Sequence, residues 1–171
     1  MLVVIADTSP VRYLVQIGQI HLLAELFEKI MLPSVVAGEL SHPSAPAAVQ
    51  SWIKNPPGWA EVSPSPELDD STMTALDPGE RSAIALGLWL KADLILIDER
   101  RGAAVALSKG FEVTGTLGVL DLAAARGLVN LRDALANLKR TNFRYRPELI
   151  AALLRKYPDD AVQGRDWLTV R

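Results

Sequence analysis

Apolar positions come in short unbroken runs, and two of those runs end on an acid. Leu2 to Ala6 (LVVIA) stops at Asp7, and Leu94 to Ile97 stops at Asp98. A strand that is apolar without alternation is expected to be covered on both faces, as in a parallel sheet. Three further strands are expected at Lys29–Leu32, Trp59–Val62 and Glu112–Thr114, the last at the end of the apolar stretch from Phe111.

Helical periods fill the segments between. Pro10 opens a helix through Val11, Leu14, Val15 and Ile17 that stops at Gly18, and Ile20 to Phe27 forms a second. Ser34 caps SVVAGELSH, which places Glu39 just over one turn inside, and Ala47–Lys54 carries Val49, Trp52 and Ile53 on one face. Asp77 suits an N-cap, Pro78 the first helical position, and Glu80 follows three residues after the cap. Ala83, Ile84, Gly87 and Leu88 then share a face. Arg100–Lys109 ends at Gly110, Leu117–Ala125 ends at Gly127, and Asn130 caps Leu131–Lys139. Pro147 opens a last helix through Leu149, Ile150, Leu153 and Leu154. Ser63–Thr74 is polar and proline-bearing and reads as a loop, and Thr141–Arg146 reads as extended.

Strands alternating with helices predict an α/β fold: three layers, α/β/α, around a central five-stranded, mostly parallel sheet of Rossmann-like outline. Right-handed crossovers gather the carboxyl ends of the strands along one edge, where open α/β sheets hold their ligands. The expected organisation is a single domain over residues 1–155. Residues 156–171 form a polar tail packed on it or extending from it, with Trp167 and Leu168 as docking residues.

The totals narrow the class. A chain of 171 residues supports one compact domain with its own core and is too short for two ordinary ones. Hydrophobic residues at 49% argue against disorder. The lack of cysteine excludes disulfides and cysteine-ligated zinc and fits a reducing compartment. No apolar stretch approaches the roughly 20 residues of a membrane helix. The start lacks the basic region and long apolar run of a signal peptide. The expected location is cytoplasmic. Net charge is −2, against a protein that coats nucleic acid broadly. The charge is uneven: from Arg126 onward ten basic residues face five acidic ones, which leaves that segment at +5 and the rest at −7. An acidic centre beside a basic flank suits a metal-dependent enzyme acting on a phosphodiester; the plainer account is solvated helix surface.

Four acids stand out: Asp7 and Asp98 after buried strands, Glu39 and Glu80 in early helical turns. Carboxylates buried together need a compensating cation. Oxygen ligands, no cysteine and only two histidines favour Mg²⁺ or Mn²⁺ over zinc. Such an ion activates water, positions a phosphate and neutralises developing charge. Each acid also has a structural account. Glu80 completes a capping box with Asp77, Glu39 is a solvated helix residue, Asp98 caps the helix near Arg100, and Asp7 caps the helix after Pro10. Glu99 faces solvent or supports the loop, and Asp121 in its apolar helix is an outside candidate. Thr8 and Ser9 can bond Asp7 or a substrate. Arg100 and Arg101 can hold phosphates or simply be solvated. His21 and His42 lack ligand spacing, and Trp52, Trp59 and Trp89 are expected in the core. No G-x-G-x-x-G or G-x-x-x-x-G-K-[ST] follows the first strand, which argues against a nucleotide-binding Rossmann protein.

The order of these features resembles the PIN-domain nucleases, most closely the prokaryotic PIN-like proteins of the DUF3368 group, related to VapC-type toxins. The matching stretches are IADTSP (5–10), LPSVVAGEL (32–40), DPGERSAIALG (77–87), LILIDERRGAAVA (94–106) and VTGTLGVL (113–120). The resemblance spans residues 1 to 155. It implies a parallel sheet of Rossmann-like outline and three or four acids binding one or two Mg²⁺ or Mn²⁺ ions that cut single-stranded RNA. By position Asp7, Glu39, Glu80 and Asp98 match the family acids. Two departures stand out: Glu80 falls where many relatives carry aspartate, and Asp98 is followed by Glu-Arg-Arg. The expectation is a metal-dependent endoribonuclease, the toxin of a type II toxin–antitoxin pair. Asp7 and Asp98 would be the main ligands, Glu39 and Glu80 would complete the site, and Ser9, Arg100 and Arg101 would contact substrate. The resemblance also implies a homodimer silenced by a small antitoxin. The alternative is a catalytically weak or inactive PIN module that binds RNA or a partner protein.

Overall fold

The computed structural model describes residues 2–158. Five strands form one sheet: β1 (Val4–Ala6), β2 (Ile30–Pro33), β3 (Ala60–Ser63), β4 (Leu94–Leu96) and β5 (Glu112–Thr114). Their order is β3-β2-β1-β4-β5, and every pairing is parallel. The expected strands are all present: Glu112–Thr114 keeps its bounds, and the ends of the others move by no more than two residues.

Helices join the strands: α1 (Thr8–Gln16), α2 (Leu22–Phe27), α3 (Ser34–Leu40), α4 (Ala47–Lys54), α5 (Pro78–Leu90), α6 (Arg100–Ser108), α7 (Thr116–Ala125), α8 (Leu131–Lys139) and α9 (Pro147–Lys156). Two cores sandwich the sheet. One face carries Val4, Ala6, Leu94 and Leu96 and packs on α1, α2, α4, α7, α8 and α9. The other carries Ile5, Ile95 and Ile97 and packs on α5 and α6. The continuous apolar runs are thus explained: alternate residues of β1 and β4 feed opposite cores, and each fully buried aliphatic side chain contributes about 1.5–3 kcal/mol.

Several details depart from the sequence reading. Trp89, expected inside, is 61% exposed. The buried face of α5 runs through Ala83, Ile84, Ala85, Leu86 and Gly87, while Leu88 points out. Helix propensity fixes α5, but contact with β1, β2 and β4 selects its buried face. Trp52 and Trp59 are half-buried and tilted against each other, with centroids 6.0 Å apart. The loop after β3 contains a short 3₁₀ turn, Ser71–Met73. α8 and α9 place Leu131, Leu135, Leu138, Ile150 and Leu153 in the first core. Asp121 is no site candidate: it accepts from Lys156 Nζ at 2.6 Å and the Tyr157 hydroxyl at 2.7 Å, holding α9 to α7. The polar tail from 159 to 171, with Trp167 and Leu168, lies outside the described residues.

The topology positions the site. From β1 the chain steps to β2 and β3 on one side, then crosses back to β4 on the other. The order therefore reverses between β1 and β4, the place where parallel sheets open a crevice at their carboxyl ends.

Candidate active site

Asp7 and Asp98 leave that crevice from neighbouring strands. Ala6 lies opposite Leu96, and the Asp7 amide continues the ladder by donating to the Leu96 carbonyl at 2.9 Å. Asp7 is only 5% exposed and stands at the N-cap of α1, where its carboxylate makes no capping hydrogen bond. Asp7 thus holds the cap position of α1, with the Thr8 amide beside its carboxylate, without the side-chain bond of a cap.

Glu39 reaches the crevice from the last turn of α3, and the Thr8 hydroxyl donates to it. Gly79, in the first turn of α5, lies against both carboxylates. A Cβ there would stand 2.6 and 2.9 Å from the Glu39 oxygens and 3.0 Å from Asp7 Oδ1. The first turn of α5 thus closes over the Asp7–Glu39 pair, and only a residue without a side chain allows the approach.

Glu80 does complete the capping box: its carboxylate accepts from the Asp77 amide at 3.2 Å. It is nonetheless 5% exposed and lies against the first turn of α6, 3.3 Å from the place a Cβ of Gly102 would occupy. The capping and crevice-facing accounts of this residue are compatible.

Asp98 does not cap α6, whose N-cap is Glu99. It turns instead to the start of α7, accepting from the Thr116 amide at 2.6 Å and the Thr116 hydroxyl at 2.7 Å. Gly115 leaves room for this, since a Cβ there would stand 2.5 Å from Asp98 Oδ1.

The electrostatics join the four. Burial pushes Asp7 up to about 7, against the Thr8 amide, which favours the anion; Glu80, Glu39 and Asp98 add to the rise. Burial likewise raises Glu80 against the Asp77 amide, with Asp77, Glu99 and Glu39 contributing. Burial raises Asp98 against the two hydrogen bonds from Thr116. Among the described residues the lysine ion pairs go to Glu61, Asp70 and Asp121, not to Asp7, Glu80 or Asp98.

An all-oxygen donor set, with Asp7 and Glu80 buried and Glu39 and Asp98 half-buried, fits a hard divalent cation in its chemistry. Its side chains are not gathered to a point, however. Among the described residues no three acidic or histidine side chains converge on one ion position. Glu39, Glu80 and Asp98 are each held by a protein donor, and ligation requires those carboxylates to turn inward.

The remaining candidates lie around this centre. Ser9 is half-buried in the first turn of α1. Arg100 and Arg101 are exposed in the first turn of α6, the same turn whose Gly102 meets Glu80. His21 and His42 are both exposed, and the His42 ring bonds Ser44 locally. Thr116, Gly79, Gly102 and Gly115 were not identifiable as site residues from the sequence alone. Their only signal is position: each opens or adjoins the first turn of a helix that follows a strand or a cap.

A parallel α/β sheet with carboxylates at its switch point defines a class of Rossmann-like proteins with an acidic crevice. The model for PIN domains of the DUF3368 type matches residues 3–158, and the chain belongs to the PIN-domain family. PIN domains are in general nucleases and typically use divalent metals, so this is a nuclease-type module. No curated protein and no solved structure matches the chain.

Proposed function

We propose that this chain is a Mg²⁺- or Mn²⁺-dependent endoribonuclease that hydrolyses phosphodiester bonds of single-stranded RNA. The observation that carries the reading is Asp7: a buried carboxylate raised to about 7 by burial, with Glu80, Glu39 and Asp98 adding to the rise. Asp7 and Asp98 hold the ion, and Glu39 and Glu80 complete its surroundings directly or through water. A divalent ion bound there supplies Lewis-acid stabilisation of the phosphate and a more acidic water. Thr8 bonds Glu39, Thr116 bonds Asp98 and the Asp77 amide bonds Glu80, so three of the four acids have a protein support beside the ion site from which they turn inward. Ser9, Arg100 and Arg101 contact the substrate backbone. The domain unit is residues 1–155, acting in the cytoplasm as a homodimer. It is the toxin of a type II pair, related to VapC toxins and silenced by a small antitoxin. Described residues contain no helix long and apolar enough to cross a membrane.

The experiment is cleavage of single-stranded RNA with Mg²⁺ or Mn²⁺ by wild type and Asp7→Asn. Loss of cleavage in the variant supports the assignment, and equal rates reject it. A second reading has its own observation. The acids are already engaged by protein donors and do not converge, which favours a weak or inactive PIN module that binds RNA or a partner protein. Calorimetric titration with Mn²⁺ at low salt separates the two: no heat of binding favours the module.

A further inference from the structure

Arg12 and Gln16 are the described residues that bury a side-chain polar atom with nothing to bond, Nε of Arg12 and Oε1 of Gln16. They lie one turn apart on α1, in line with Thr8, while Pro10, Val11 and Leu14 on the opposite side enter the core. Arg12 is half-buried and forms no hydrogen bond or ion pair among the described residues; its guanidinium sits 5.8 Å from the Tyr13 ring centroid. A guanidinium stays charged at any working pH, and a buried donor without a partner destabilises the fold unless something else completes it. Helical side chains lean toward the helix N-terminus, so Arg12 leans toward Thr8, whose hydroxyl is bonded to Glu39. The step from Thr8 to Arg12 is about 6 Å along the axis. One turn further, Gln16 lines a cleft of about 650 Å³ together with Asn137, Arg140 and Thr141 at the end of α8.

We infer that the Thr8–Arg12–Gln16 stripe is the track that carries the RNA backbone away from the acidic crevice. Arg12 takes a phosphate on the terminal nitrogens of its fork, the Gln16 side chain turns outward from its enclosed position so that its carbonyl oxygen accepts from a ribose 2′-hydroxyl, and Arg140 meets a phosphate further along. The two orphans divide the work by chemistry. A guanidinium fork matches a phosphate, whereas a bare acceptor matches a hydroxyl and repels a phosphate. The 2′-hydroxyl is the group that separates RNA from DNA. The inference rests on the RNA substrate proposed above.

The test is binding of a fluorescent oligouridine to the full chain by anisotropy, in EDTA, across a salt series, against the deoxy analogue. Arg12→Met is expected to weaken RNA binding about tenfold and to lower the salt slope by about 0.7, the loss of one phosphate contact on a single strand. Arg140→Gln lowers the slope by a similar step of about 0.7. Gln16→Leu leaves the slope unchanged and removes the preference for RNA over the deoxy strand. The thermal midpoint of Arg12→Met stays at or above that of wild type, because a buried donor without a partner is removed. Unchanged affinity and slope in Arg12→Met overturn the inference and assign the two orphans to a bridging water. A large drop in its midpoint also overturns it, as does equal wild-type binding of RNA and DNA. Because the measurement excludes divalent ions, failure of the cleavage test leaves the track standing. Failure of wild type to bind RNA removes the track without touching metal binding by the acids.

Discussion

Gly79 and Glu39 are in contact across the crevice: a methyl group on Gly79 would stand 2.6 Å from Glu39 Oε2. The first turn of α5 therefore sets how near Glu39 can come to Asp7. Gly79→Ala is expected to displace both carboxylates and to lower Mn²⁺ affinity about tenfold, in the range of lost supporting contacts around a metal. Alanine also favours the helix by about 0.5–1 kcal/mol over glycine, which offsets part of the clash, so the thermal midpoint should move little. Calorimetry beside a melting curve separates the two effects. Undiminished affinity would show that the pair does not act on one ion.

The second prediction concerns pH. Asp7 has its ordinary value of 3.8 raised to about 7 by burial and by its acidic neighbours. Below about pH 4 the group is protonated in both folded and unfolded chains. Between about 4 and 7 the unfolded chain releases the proton while the folded one keeps it, so stability falls as pH rises through that window. The full difference amounts to about 4 kcal/mol at most. Asp7→Asn should therefore be more stable than wild type at pH 8 without divalent ions, and the gap should close toward pH 4. Added Mn²⁺ should raise the wild-type midpoint at pH 8 far more than at pH 5. Urea denaturation at several pH values measures both, and a flat profile would remove Asp7 as a strained acid.

Glu80 carries two duties that one substitution separates. Glutamine at this position can still accept from the Asp77 amide, so Glu80→Gln should keep the capping box and be no less stable than wild type at pH 7, since burial already disfavours the charge. Loss of the charge should lower metal-dependent RNA cleavage at least about tenfold. Full activity in this variant would reduce Glu80 to a helix cap.

Thr116 is fully buried and offers Asp98 both an amide and a hydroxyl. Thr116→Val keeps the shape and removes the hydroxyl. The expected loss is about 1.5–3 kcal/mol at pH 7, typical of a hydrogen bond to a charged group. It also pushes the Asp98 carboxyl further up, since the hydroxyl opposes burial there. The stability loss should therefore shrink as pH falls and Asp98 protonates in both proteins. A loss independent of pH would mean that packing, not the hydrogen bond, is at stake.

Much of this architecture was legible because β1 and β4 are buried on both faces. Burial on both faces leaves no room for polar residues, so the runs before Asp7 and Asp98 announce central parallel strands. The carboxyl-edge rule then places the two acids near each other without any coordinates. What stayed hidden depends on facing elements. Trp89 reads as core from its type, yet whether a residue of α5 faces the sheet is decided by where the helix docks. Asp98 reads as a cap for the next helix, but its partner is Thr116, eighteen positions on, brought near by β5. The glycines at 79, 102 and 115 look like ordinary turn residues until the carboxylates pressed against them are seen.

β1 is the middle strand of the sheet, although it is the first to be made. Val3 is tied to Asp93, a partner 90 positions downstream. At about 5–20 residues per second, several seconds of synthesis separate the two halves of the crevice. During that interval a nascent polypeptide holds Asp7 and Glu39 but not Asp98. A product truncated before β4 never acquires the second half. Whatever this crevice does is therefore withheld from unfinished chains by the order of the strands alone.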